Sequence, residues 1–339
     1  MSFKLLARLG AHPWCRTAAL AGAVLLASCG GGTQIVPFIP TRVLVFGDEL
    51  STIETDGRKY SINAFKQITL PDGTVVDDPT TLDCTRDPIW VQTVATSFGL
   101  ALDRCLGAAT VAAGQVLARP GRPGTAEGKV ADFAVQIAAV QGDALNEKDL
   151  ALVMFGHNDI LELYGMYPTV GEESLIAMAE ARAKAFGTQI NELALRGPAV
   201  VVVTTPDIAY SPFAIAENAN TGDPYRSELI RRLVEKFNNR MSVTLKNDGH
   251  LIGLAYGDVD LQNIVKNPAA YGLANVTAAA CLDTAPLPDC NTATLVPATP
   301  TAAAATASTW LWADKLLPTP AFQARLAFLA SNRAHSNPF

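Results

Sequence analysis

The chain has 339 residues, of which 49% are hydrophobic and 17% charged, with a net charge of −6 and six cysteines. That composition supports a substantial apolar core and excludes a disordered chain. With negative net charge and no basic stripe, nothing points to a nucleic-acid partner.

In chain order, Lys4, Arg8 and Arg16 precede the apolar stretch AALAGAVLLA at 18–27, too short to span a bilayer as a mature helix. It runs into Leu26-Ala27-Ser28-Cys29 and three glycines. This pattern resembles a bacterial lipobox. The resemblance implies a signal peptide over 1–28, lipid modification of Cys29 and, with Gly30 rather than Asp next, an outer-membrane destination. Residues 29–41 then read as an extended Gly- and Pro-containing tether, and 42–339 as a single domain. Several acyl chains on Cys29 would anchor the chain stably.

Export places the remaining cysteines in an oxidising compartment. Cys15 leaves with the signal and Cys29 takes the lipid. The other four allow three pairings, and the sequence-local choice is Cys84–Cys105 and Cys281–Cys290. No C-x-x-C spacing supports metal binding by these four.

The unbroken apolar run Val43–Phe46 ends in Gly47-Asp48 and reads as a buried strand of a parallel sheet. Residues 51–80 hold turn signals and short hairpin strands, an excursion from the sheet. Helical periodicity follows over 88–100 and 131–140. Strands are expected at 150–156, 199–206 and 250–258, with long helices at 172–196 and 225–247 and a closing helix at 320–332. Strands alternating with helices imply right-handed crossovers and a mainly parallel sheet covered on both faces, an α/β fold in three α/β/α layers. The segments 207–224 and 291–308 read as loops overhanging a cleft.

Four motifs occur in order: FGDELS at 46–51, LGAATVAAGQV at 106–116, FGHNDI at 155–160 and WADKLLPTP at 312–320. Together they resemble the SGNH/GDSL hydrolase superfamily, which implies a flavodoxin-like sandwich and cleavage of acyl esters. On that resemblance Gly47 and Asp48 open the first motif, and Glu49 stands where the family has its nucleophilic serine. Gly114, or alternatively Gly107, supplies a backbone N–H to the oxyanion hole, and Asn158, after Gly156, supplies a side-chain amide. Asp314 holds the triad aspartate's place, while Leu317 replaces the histidine.

With both serine and histidine lost, the esterase should be nearly silent, since removing either from a serine protease costs about 10⁶ in rate. Ser51 cannot inherit the role, because two residues of helix turn a side chain by about 200°. His157, His250 and His335 are read as structural rather than catalytic. The specific expectation is that the Glu49 carboxylate reaches into the oxyanion hole and binds Asn158 and the Gly114 N–H as a built-in anion. A proton-sharing Glu49–Asp314 pair is a further arrangement the sequence allows.

The function expected is a catalytically impaired binding or structural module whose cleft takes an acyl-ester, lipid or glycan ligand, with the membrane reached through Cys29. An active ester hydrolase of non-standard arrangement is the alternative. No dinucleotide fingerprint or metal-ligand cluster appears, so no cofactor and no metal is expected.

Overall fold

The structure is a computed structural model that describes residues 37–109, 111–246 and 251–336. Residues 1–36, where the signal segment, Cys29 and most of the tether are expected, and His250 lie outside the described residues. The strands in chain order are β1 (Arg42–Gly47), β2 (Phe65–Thr69), β3 (Val75–Leu82), β4 (Gly114–Val116), β5 (Asp149–Met154), β6 (Ala199–Val203), β7 (Ile252–Ala255), β8 (Asn275–Ala279) and β9 (Trp310–Trp312). The α-helices are α1 (Trp90–Ser97), α2 (Phe133–Ala138), α3 (His157–Gly165), α4 (Glu172–Ala194), α5 (Pro212–Thr221), α6 (Tyr225–Thr244), α7 (Gly257–Lys266) and α8 (Pro320–Ala334).

A five-stranded, fully parallel sheet has the order β4-β1-β5-β6-β7. Counting only its own strands, that order is 2-1-3-4-5, the doubly wound order of flavodoxin-like sheets. Side chains alternate between its faces, as the two-residue period of a strand requires. Val43, Val45, Leu152 and Val201 enter one apolar cluster, with Trp90 of α1 and Phe322 and Leu326 of α8. Leu44, Phe46, Val153 and Val202 enter the other, with Phe133 of α2, Phe186 of α4 and Phe237 of α6. Both faces are therefore sealed, and continuous apolar runs rather than alternating ones are what such strands need. The molecule is a three-layer α/β/α sandwich, and the described residues from Phe38 onward form one compact unit.

Both expected disulfides are present, Cys84–Cys105 and Cys281–Cys290. The first joins the end of the β2–β3 hairpin to the segment before β4. The second lies in a small third cluster with Ile62, Trp310 and Ala313, beside the two-stranded pair β8–β9.

Two local expectations differ from the structure. Residues 207–224 are not a loop, because α5 occupies 212–221. Ser211 Oγ caps it by accepting from the Ala214 N–H (3.2 Å), Pro212 fills its first position, and Gly222 ends it in the left-handed region at φ 64°. The strand expected over 250–258 is shorter, because the chain turns at Tyr256 and enters α7 at Gly257.

Candidate functional site

In this strand order the chain leaves β1 for β4 and then returns to the other side of β1 as β5. The carboxyl ends of β1 and β5 therefore flank the topological switch point, where open α/β sheets form their crevice. Glu49 follows β1 and Asn158 follows β5.

Gly47 ends β1 under tight restraint. The Gln136 side chain accepts from its N–H and donates to its carbonyl, both at 2.9 Å. A Cβ at Gly47 would lie 2.6 Å from the Met154 carbonyl oxygen, so no side chain fits. Asp48 then caps a single 3₁₀ turn, Glu49–Ser51, its Oδ1 accepting from the Leu50 N–H at 3.1 Å. The Asp48 carboxyl is wholly buried, and burial followed by the adjacent Glu49 charge holds its pKa well above the usual carboxylate range.

Across the switch point, Gly156 adopts φ 126°, a conformation side chains rarely reach, and a Cβ there would meet the Phe237 ring at 2.7 Å. This turn starts α3 with His157 and Asn158 in its first turn and with no side-chain cap of its own. The third wall is the segment after β4. Leu117 and Ala118 donate to the Val45 carbonyl and Arg119 to that of Gly47, which carries the chain along β1. The Arg119 guanidinium pairs with the buried Asp132 carboxylate, and Pro120-Gly121 then crosses the end of β1.

These three pieces meet on the half-buried Glu49 carboxylate. Oε1 accepts from the Gly121 N–H at 2.8 Å, and Oε2 accepts from Asn158 Nδ2 at 2.7 Å. Asn158 Nδ2 also donates to the Gly128 carbonyl at 3.0 Å, which fixes the amide's orientation. A Cβ on Gly121 would sit 2.5 Å from Asn158 Nδ2, so only glycine allows the two donors to approach so closely. The anion also lies at the amino end of an uncapped helix, where the backbone dipoles favour negative charge.

The glycine expected here was Gly114 or Gly107, and neither is the donor. Gly114 pairs with Val43, at the opposite end of β1 from the site. Gly107 lies in a turn beside Thr85. Gly121 lies after the short strand β4 in RPGRPG, where Pro and Gly permit chain reversal over the sheet end, but Gly124 has the same Pro-Gly setting and the motif alone does not single Gly121 out.

The last motif lies between β9 and α8. Asp314 Oδ1 accepts from the Leu316 and Leu317 N–H groups at 2.8 and 2.6 Å, so its carboxylate shapes a turn rather than orienting an imidazole. Burial raises the Asp314 pKa, opposed by those two N–H groups. Leu317 is 6% exposed and belongs to the apolar cluster of Leu50, Trp312 and Phe322. Glu49 gives its two oxygens to Gly121 and Asn158, while Asp314 Oδ1 is bound within its own turn.

His157 is buried and its Nδ1 has no protein hydrogen-bond partner. Burial pushes its pKa down, against the pull of the Glu49 and Asp314 carboxylates. Ser51 is wholly buried, with its Oγ accepting from the Trp90 indole N–H at 3.2 Å. His335 stacks on Phe98 at 4.1 Å and meets Ser97 Oγ at 3.0 Å, a packing role at the end of α8.

A groove of ≈ 400 Å³ adjoins the seat, sharing Gly121 and Asn158 with it and lined besides by Arg122, Pro123, Gly124, Lys129, Leu161 and Glu162. A larger apolar cavity of ≈ 650 Å³ lies beside α1 and Cys105 and shares no residue with the seat. Among the described residues no group of three or more His, Cys, Asp or Glu side chains could hold a metal ion, and no helix is long and apolar enough to cross a membrane. No protein-family model matches the chain, and no curated protein matches it in sequence.

Proposed function

We propose that this chain is an exported lipoprotein on the SGNH/GDSL hydrolase fold whose ester-cleaving centre has become a closed polar contact, leaving a binding or structural module. One observation carries the reading. The two N–H donors at the switch point, Gly121 and Asn158, both bind the protein's own Glu49 carboxylate.

In acyl transfer such donors stabilise the oxyanion that develops on the substrate, each worth about 3–4 kcal/mol. Here that position is filled before any substrate arrives. At this seat Ser51 is buried under Trp90 and Leu317 has no proton to take or give. A Glu49 acyl anhydride, were one formed, would need an activated water, and the triad position offers only an aliphatic side chain. The two disulfides support export, the Leu-Ala-Ser-Cys29 motif supports lipid anchoring, and Gly30 after it supports an outer-membrane destination.

The test is hydrolysis of short-chain nitrophenyl esters by the full-length protein beside its Asn158→Ala variant. Neither should exceed the buffer rate. Hydrolysis by the unaltered protein that disappears with Asn158→Ala would overturn the reading.

A further inference from the structure

We propose that the Gly121–Asn158 seat is a carboxylate-binding site, held by Glu49 in the free protein and taken over by a monocarboxylic acid with a short apolar tail. This deepens the reading above by naming the ligand of the same site, although it rests on the two donors rather than on the lost chemistry.

The first ground is stereochemical. Gly121 N–H and Asn158 Nδ2 each take one oxygen of a single carboxylate, at 2.8 and 2.7 Å. The seat therefore matches a carboxylate in width and orientation, as Glu49 itself demonstrates. The second ground is charge. The Glu49 charge acts on two neighbouring carboxyls, Asp48 and Asp314. A dianion would add charge to this acidic neighbourhood. A monoanion that enters as Glu49 swings out leaves the local charge unchanged.

The third ground is the groove. It shares Gly121 and Asn158 with the seat, has a volume of ≈ 400 Å³, and is lined besides by Pro123, Gly124 and Leu161 and by the charged Arg122, Lys129 and Glu162. Its lysine, Lys129, is already paired with Glu162, and the exposed Arg122 with Glu127, so the walls present no unspent cation to a second acid group. Those walls suit an alkyl tail. The tail is also what the ligand needs in order to win, because Glu49 competes from within the chain at high effective concentration. A free carboxylate without further contacts loses that competition. Each methylene buried in the groove should tighten binding roughly fourfold.

The experiment is calorimetric titration of the full-length protein and its Glu49→Ala variant with acetate, butyrate and hexanoate, with hexanol as the uncharged control. Hexanoate should bind both proteins, on the order of tenfold tighter or more to Glu49→Ala, where the internal competitor is gone. Affinity should climb from acetate to hexanoate, and hexanol should not bind. Adding Asn158→Ala to the Glu49→Ala background should weaken hexanoate by about tenfold or more. A folded Glu49→Ala protein that binds hexanoate no better than the parent overturns the proposal, as does binding indifferent to Asn158 or equal binding of hexanol. Should Glu49→Ala not fold, Glu49→Gln replaces it, because a neutral amide competes less well for two N–H donors, and the same outcomes apply. Ester hydrolysis by the unaltered protein would sink the silent-hydrolase reading without touching carboxylate binding. Absence of carboxylate binding would leave that reading in place.

Discussion

At the scale of single residues, the site is a carboxylate that two neighbouring segments converge to hold. Hydrogen bonds to a charged group contribute about 1.5–3 kcal/mol each. Asn158→Ala removes one such donor. Gly121→Ala forces a methyl into the Asn158 amide and disturbs both donors at once. Each variant should therefore lower stability by about 1–3 kcal/mol in urea titration, and the double variant should lose less than the sum. Additive losses would mean that the two residues do not act through one carboxylate. Glu49 and Asn158 were picked out through the motifs FGDELS and FGHNDI, and the structure joins them, while Asp314 shapes a turn and Leu317 packs in the apolar cluster. Gly121 was not picked out. The chain between residues 106 and 128 contains five glycines, and only the three-dimensional path along β1 separates the one that reaches Glu49 from Gly114, which pairs with Val43.

At the scale of elements, β1, β5, β6 and β7 were legible because their sequences are apolar on both faces. The structure shows each face entering its own cluster. Elements that rest on special positions were harder to read. Strand β4 has three residues, too few to show a period, and α5 hides behind an Asn-, Gly- and Pro-rich composition despite its Ser211-Pro212 start. The end of β6 shows how burial writes a pH dependence into one element. Asp207 is wholly buried, its Oδ2 accepting from Gln262 Nε2 at 2.8 Å and its Oδ1 from the Ala209 N–H at 3.2 Å. Burial raises its pKa from 3.8 to about 6. The folded value exceeds the unfolded one, so the native chain binds this proton more tightly. Its contribution is complete below the unfolded value and lost as pH rises through the folded one. Asp207→Asn mimics the protonated form, so between about pH 4 and pH 7 it should gain on the parent by on the order of 2 kcal/mol. Chemical denaturation across that range checks it, and parallel stability curves would contradict it.

At the scale of the whole molecule, a doubly wound sheet gathers the ends of β1 and β5, the crossing loop and the turn before α8 at one crevice. The apolar layers fix that gathering, and the site only has to choose side chains for it. Lys59 illustrates how firmly the periphery is tied in. It is fully buried, with Nζ donating to the Cys84, Arg86 and Asp87 carbonyls at 3.2, 2.6 and 3.1 Å. Together with Cys84–Cys105, whose 21-residue loop closure stabilises by about 3 kcal/mol on chain-entropy grounds, it fastens the 51–87 excursion to the sandwich. Such a scaffold should keep its donors in place when Glu49 and Leu317 are changed. The direct measurement is fluorophosphonate labelling and nitrophenyl-ester hydrolysis by the full-length Glu49→Ser/Leu317→His protein. Labelling at position 49 together with ester turnover absent from the parent is the expected result, because removing Glu49 frees Gly121 and Asn158 to receive an oxyanion. A folded double variant that neither labels nor turns over ester would contradict the claim that Glu49 occupies a working oxyanion hole.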